Sequence, residues 1–501
     1  VKPASQTAYL TEKMVQAIIE SKLLPEGALQ LICGSSGDLI DHLDFQDVLT
    51  FTGSASTGLK LKANPAIINN SVRYNMEADS LNCSILGTDV TPDKVEFDLF
   101  IKEVAREMTV KAGQKCTAIR RTIVPEHLLD DVNKALQERL SKIIVGDPKL
   151  DDVRMGPLAS LSQQSEVRKR IDELKASAEL VFGGNGKLDV KGDHIEKGAW
   201  IPATVLISKN PFKQRDVHDI EAFGPVTTLM PYKTTEDAIE LAKLGKGSLV
   251  GSLFTANDQI AKEITMGIAS HHGRLMIINE YCSKESTGHG SPLPHLVHGG
   301  PGRAGGGEEL GGIRSVLHYM QRTALQGSPT TISHIINEYL PGAAHTETEK
   351  HPFKKYFDEL KIGDSLTTHR RTITEADVVN FAGVSGDYFY AHTDEIAAER
   401  SLFKKRVAHG YFVVSAAAGL FVWPGEGPVL ANYGLENLRF IEPVYIGDTI
   451  HLKLICKQKT EKEAREDEKL QGVVEWAVEI YNQDELMVAT YSILTLVERK
   501  K

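Results

Sequence analysis

Cys116 lies in the stretch KAGQKCTAIRR, residues 111–121, directly after Gly-Gln-Lys and where a helical pattern ends. A thiol of ordinary pKa, about 8.5, is only a few per cent thiolate at pH 7. A nucleophilic Cys116 therefore needs a base or a proton-accepting water. Glu77, in YNMEAD and 39 residues earlier, is a candidate that only the fold could bring near. Each residue also has an ordinary reading, a cysteine filling core space and a glutamate facing water. A second constellation stands in SGDYFYAHTDEIAAERSLFKKRVAHGYFVVS. Asp387 and His392 could share one water, the carboxylate accepting its proton and the imidazole orienting it. Gly410 follows His409 and opens an apolar helix, so its N–H suits a developing oxyanion. The ordinary reading here is a capping Asp and a structural His.

These groups need elements to hold them. Residues 8–24, AYLTEKMVQAIIESKLL, read as an amphipathic helix, and LQLIC (29–33) as a buried strand. DVLTF is a further strand running into the turn and helix of TGSASTGLKLKA. Residues 93–113 form a long helix ending near Gly113, and 126–148 another that stops at Gly-Asp-Pro. Such alternation argues an α/β fold with a largely parallel sheet. Residues 286–312, rich in Gly, Pro and His, are either a flexible linker or a loop closing over a site. After 325–353 the character changes to one very apolar helix, VSAAAGLFV, and long strand-like segments from LENLRFIEPVY to ELMVATYSILTLV. That pattern argues an α+β domain whose sheet wraps a helix. KTEKEAREDEK (459–469) reads as a solvated hairpin tip.

Composition narrows the classes. A chain of 501 residues implies two to four domains. The net charge of −10 argues against general nucleic-acid binding. The cysteines Cys33, Cys83, Cys116, Cys282 and Cys456 contain no C-x-x-C and are odd in number. Neither a disulfide framework nor a zinc site is expected, no metal is assigned, and a reducing cytoplasm is the expected setting. No run of 18 apolar residues could span a membrane, and no signal peptide is visible.

LTFTGSASTG, NMEAD, GQKC and EAFGPV occur in that order, and over residues 1–325 the chain resembles the aldehyde dehydrogenase superfamily. The resemblance implies Cys116 as nucleophile and Glu77 as general base. It further implies that Gly53 and Ser54 receive the cofactor pyrophosphate at a helix start, that Glu221 binds the nicotinamide ribose with Phe223 beside it, and that Lys2 reaches the adenosine ribose. Ser5 stands where NAD-preferring relatives often carry Glu. Without that charge a 2′-phosphate is tolerated, so NADP is the expected cofactor, with NAD the alternative. MEAD departs from the glycine-rich form usual after the general base. The superfamily's oxyanion Asn and first strands would lie upstream of Lys2, so the chain is expected to be an N-terminally incomplete member.

Residues 350–501 resemble the MaoC-like, hydratase 2 branch of the hot-dog-fold enoyl-CoA hydratases, on the Asp387/His392 and His409-Gly410 motifs and on IEPVYIGDTI (441–450). The resemblance implies Asp387 and His392 as the catalytic pair and Gly410 N–H as holder of the thioester enolate. Phe389 and Tyr390 replace the usual Asn-Pro, which points to an unusual acyl group. The expected fold is thus an α/β aldehyde dehydrogenase fold followed by an α+β hot-dog domain. Its parts are a partial cofactor-binding region (1–91), a catalytic part with closing loop and tail (92–325), a linker (326–349) and the hydratase domain (350–501). The combination is similar to the fused ring-opening enzymes of phenylacetate catabolism. It implies a CoA-thioester substrate, opening of an oxepin-CoA ring, oxidation of the resulting semialdehyde, and a homo-oligomer; the alternatives are a fusion acting on another acyl-CoA semialdehyde and an acyl-CoA-binding scaffold with an inactive dehydrogenase half.

Overall fold

The structure, a computed structural model, describes all residues except 187, 194, 294, 297, 309–311, 464–468 and 501. The expected hairpin tip therefore falls partly outside the described residues. The chain divides into two compact units, Val1–Gln321 and Arg322–Lys501.

The first unit is built on strands β1 (Val48–Thr52), β2 (Arg73–Glu77), β3 (Cys83–Leu86), β4 (Arg121–Pro125), β5 (Glu179–Phe182), β6 (Thr204–Ile207), β7 (Val226–Tyr232), β8 (Ser248–Phe254) and β9 (His272–Ile278). β1 and β2 form a separate parallel pair. The others make one sheet in the order β5-β6-β7-β4-β3-β8-β9, parallel except for the β5–β6 pair. β7 and β8 are buried at every position, and with both faces covered they show no apolar–polar alternation, enclosing Thr227, Thr228, Ser248 and Ser252 with their apolar residues. Alternate residues enter different cores. Leu206 and Met230 join one cluster, and Val205, Ile207 and Leu229 the other. The second cluster also takes Phe100, Val104 and Met108 of helix Val95–Thr109. That helix carries Glu96 and Asp98 in its first turn and Arg106 in its last, matching the helix dipole.

The second unit holds β10 (Thr346–Glu347), β11 (Asp364–Thr367), β12 (Arg371–Thr372), β13 (Val429–Phe440), β14 (Thr449–Lys462), β15 (Gln471–Tyr481) and β16 (Met487–Glu498). The sheet order is β10-β11-β14-β15-β16-β13, with β12 also on β14. β13 to β16 pair antiparallel throughout. Helix Gly410–Phe421 places Phe412, Val413, Ala416, Ala417 and Phe421 into one core with Trp476, Val478, Leu452 and Leu454 of the strands. A long apolar helix packed on a curled antiparallel sheet is the hot-dog arrangement.

Three expectations need correction or choice. LQLIC forms no strand. Its backbone pairs only with the first residue, Val1 N to Gln30 O and Ile32 N to Val1 O, and one residue cannot supply a ladder. The helix expected to reach Gly113 ends at Thr109. Residues 299–308 fold back on β2, with Gly307 N donating to Met76 O (3.2 Å) and Ala78 N to Ala304 O (3.0 Å). This favours the closing loop over the linker.

Two buried imidazoles give the first unit a pH response. His272 donates from Nδ1 to Ile268 O (3.0 Å), and His218 from Nε2 to Pro211 O (2.9 Å). Burial pulls both down to about 4. The unfolded chain, with His near 6.5, then binds more protons than the folded one below neutrality. The stability these groups contribute is complete above about 6.5 and is lost as pH falls toward 4. The urea midpoint of the first unit should be lower at pH 5 than at pH 7; equal midpoints would contradict this assignment.

Candidate active sites

Three consecutive left-handed residues shape the turn that carries Cys116. Lys111, Ala112 and Gly113 have φ of 53°, 51° and 68°. Such a conformation costs an ordinary residue about 1–2 kcal/mol, so the turn must be held from outside. At Gly113 a Cβ would stand 2.2 Å from Gly224 O; only glycine allows the two backbones to meet. Gln114 Nε2 donates to Phe223 O (3.2 Å), and its Oε1 accepts from Ala159 N (2.8 Å). Asn82, at 0% exposure, donates from Nδ2 to the carbonyls of Cys116 (2.8 Å) and Ala118 (3.0 Å). The Cys116 turn thus lies against the turn of Glu221 and Phe223. The Glu221 side chain is 10% exposed and stands 3.5 Å from Arg120 Nε. Burial pushes its carboxyl up against the opposing pull of Arg120.

A second group gathers at the ends of β1 and β2. Gly53 N donates to Glu77 O (3.1 Å), so the Gly53–Ser54 turn and Glu77 are backbone neighbours. This is the carboxyl end of parallel strands, where α/β folds place ligands. Ser54 caps helix Ala55–Lys62 by accepting from Thr57 N (3.3 Å). Ala55 N donates to Asp79 Oδ1 (3.0 Å), and Arg303 lies 3.6 Å from the other Asp79 oxygen. The departure MEAD therefore brings a carboxylate to this helix start, where two of the first amides already have partners in the chain. Lys2 and Ser5 are exposed at the chain's beginning, with Lys2 Nζ donating to Pro3 O. No hydrogen bond among the described residues ties them to Gly53 or Glu221.

In the second unit, Thr374 and Asp377 form a capping box at the start of helix Glu375–Ser385, and Gly386 ends it with φ 75°. Asp387 follows, its Oδ1 accepting from Phe389 N (3.2 Å). His392 donates from Nδ1 to Val407 O (2.7 Å), leaving Nε2 as its basic nitrogen. His409 donates from Nε2 to the Asp387 carbonyl (2.9 Å) and stacks on His392 at 3.9 Å between ring centres. Its buried Nδ1 has no hydrogen-bond partner among the described residues. One ligating atom from each of Asp387, His392 and His409 falls within 4.8 Å of the others. Gly410 begins the next helix, where the first N–H groups have no partner inside the helix. A Cβ there would stand 2.5 Å from the Phe440 ring. Nearby basic residues are partly engaged. Arg406 is bound by Glu375 and Glu395, and Lys355 by Asp364.

The fold therefore brings Cys116 to Phe223 and Glu221, Gly53 to Glu77, and Asp387 to His392 and Gly410. Asn82 and Arg120 carry no motif of their own in the sequence, and Gln114 stood only as part of GQKC, with no role of its own. His409 was signalled only by its place before Gly410.

Residues 1–325 match the aldehyde dehydrogenase family and residues 359–477 the MaoC like domain. The chain belongs to the aldehyde dehydrogenase family, with a MaoC-like hot-dog domain joined to its C-terminal side. It is 56% identical over 317 residues to "Protein MaoC" of Klebsiella aerogenes, covering 63% of this chain and 93% of that protein. It is 42% identical over 300 residues to the 3,4-dehydroadipyl-CoA semialdehyde dehydrogenase of Aromatoleum evansii, covering 60% of this chain and 58% of that one. Among solved structures it is similar to the betaine aldehyde dehydrogenase of Staphylococcus aureus in complex with NAD+, at 26% identity and TM-score 0.53, with 62% and 58% of the two chains covered. The chain thus spans 58% of the length of that dehydrogenase and of the Aromatoleum relative.

Gly113→Ala should lower the stability of the first unit by about 1–3 kcal/mol through strain and overpacking. Thermal denaturation measures it, and an unchanged midpoint would contradict the close approach of the two turns.

Proposed function

We propose that the chain is a bifunctional enzyme that opens the ring of oxepin-CoA in its hot-dog domain and oxidises the resulting acyl-CoA semialdehyde to a carboxylate in its dehydrogenase part. The observation that carries this reading is the presence of two separate constellations, Cys116 against Glu221–Gly224 and Asp387–His392–Gly410, in the two units of one chain. The similarity to a CoA semialdehyde dehydrogenase supports a CoA-bound aldehyde.

In the hot-dog domain, Asp387 accepts the proton of a water that His392 orients through Nε2. Water adds to the enol ether carbon of the oxepin. Gly410 N–H stabilises negative charge as it develops on the thioester oxygen. The hemiacetal then collapses, breaking the ring C–O bond and releasing an aldehyde. Phe389 and Tyr390, with rings 4.4 Å apart and inclined at 51°, supply an angled aromatic corner suited to a ring rather than a linear chain.

In the dehydrogenase part, the Cys116 thiolate attacks the aldehyde carbon to give a thiohemiacetal. Glu221 Oε1 is buried and, beyond the Arg120 Nε standing 3.5 Å away, has no hydrogen-bond partner among the described residues, which fits a ribose hydroxyl of a nicotinamide cofactor. With Phe223, Gly53, Ser54, Lys2 and Ser5 it forms the binding set. The cofactor, NADP by the Ser5 argument, supplies the hydride acceptor. Glu77 takes a proton from the water that hydrolyses the resulting thioester. All five cysteines are free thiols, consistent with a cytoplasmic enzyme. Among the described residues no helix is long and apolar enough to cross a membrane.

Cys116→Ala should abolish aldehyde oxidation while ring opening continues, and Asp387→Asn should do the reverse with supplied aldehyde; unopened oxepin-CoA accumulating in Cys116→Ala would overturn the division. Ser5→Glu should shift kcat/KM toward NAD. A parent that already prefers NAD would show that Ser5 does not set the preference.

A further inference from the structure

Arg120 is the residue just before β4, and its side chain is 3% exposed. An Arg so placed is rare unless its donors are satisfied. Its Nη2 donates to Gly113 O (2.8 Å) and approaches Lys115 O (3.4 Å), both in the turn leading to Cys116. Its Nη1 donates to Gly224 O, in the facing turn. Its Nε stands 3.5 Å from Glu221 Oε1, and neither of those two atoms makes a hydrogen bond of its own. The guanidinium carbon lies 5.5 Å from the centre of the Phe223 ring. A single planar cation therefore touches both turns. The next residue, Arg121, is buried as well but spends its donors elsewhere, on the carbonyls of Leu81, Leu241 and Ala242.

We propose that Arg120 is a positioning residue that fastens the Cys116 turn to the Glu221–Gly224 turn, so that one guanidinium sets the nucleophile and the cofactor-side carboxylate together. The left-handed residues 111–113 would otherwise relax, and the two turns would move independently. The planar fork is what permits this, since one lysine ammonium cannot span Gly113, Gly224 and Glu221 at once. The charge acts as well. Arg120 and Cys116 also attract one another electrostatically, and a nearby cation favours thiolate. Lys115, on the same turn, is paired at 2.8 Å with Glu107 of the preceding helix, while Arg120 is the guanidinium whose Nε stands 3.5 Å from Glu221, with Arg303 adding a weaker pull.

This inference rests on the reading of Cys116 as nucleophile, and the test separates the two. Full-length Arg120→Met and Arg120→Lys proteins are alkylated with iodoacetamide across pH, and Cys116 modification is read by mass spectrometry. Hydrogen exchange is followed over 111–117 and 221–225. Arg120→Met should move the Cys116 profile to higher pH and slow alkylation at pH 7 about threefold or more, the loss of a nearby charge. Arg120→Lys should keep the profile near that of the parent, yet exchange should rise in both segments together. Unchanged exchange, or a rise in one segment alone, overturns the fastening role, and Arg120→Lys decides this even if Arg120→Met fails to fold. An unmoved Arg120→Met profile overturns the electrostatic role. Neither readout depends on turnover. Aldehyde oxidation persisting in Cys116→Ala would instead overturn the nucleophile reading.

Discussion

The contact between two backbone turns, Gly113 against Gly224, is the constraint on which the dehydrogenase part depends. The turn bearing Cys116 is intrinsically unfavourable, because two of its three left-handed residues are Lys111 and Ala112. It persists because buried polar groups grip it from different sides. Asn82 takes the carbonyls of Cys116 and Ala118, Gln114 ties the turn to Phe223, and Arg120 bridges to Gly224 and Glu221. Hydrogen bonds to a charged donor contribute about 1.5–3 kcal/mol each, enough to offset the strain. The sheet supplies the rest: β3 carries Asn82 at its entry, and β4 begins immediately after Arg120.

The hot-dog site solves a similar problem with imidazoles. His392 and His409 each donate to a main-chain carbonyl, which fixes their tautomers beside the Asp387 carboxylate. The two rings stack at 3.9 Å, so each also fixes the plane of the other. His409 also holds the carbonyl of Asp387, so the residue before Gly410 in sequence positions the acid at the other end of the motif. A single chain thus uses backbone carbonyls as anchors twice, with a guanidinium in one unit and imidazoles in the other.

Much of this was legible in the residues. The strand-like segments overlap β13 to β16 and VSAAAGLFV overlaps the helix Gly410–Phe421, although the helix and β13 begin four and six residues before those segments, and the change of character near 325–353 lies beside the division at Gln321 and Arg322. LQLIC misled because apolar content alone does not provide a ladder partner. The helix end at Thr109 was missed because Lys111 and Ala112 are good helix formers, overruled by the contact that Gly113 makes with a segment more than a hundred residues away. Arg120 and Asn82 were invisible for the same reason. Their partners are main-chain carbonyls, and a carbonyl leaves no mark in the sequence.

The central claim, that this braced turn presents the nucleophile, is tested most directly by trapping the covalent species. The protein is mixed with the acyl-CoA semialdehyde and oxidised cofactor, acid-quenched during turnover, digested, and its cysteine peptides weighed. The account predicts a thioester adduct on the peptide containing Cys116 and none on those of Cys33, Cys83, Cys282 or Cys456. Cofactor reduction with no adduct on Cys116, or an adduct on another cysteine, would contradict it.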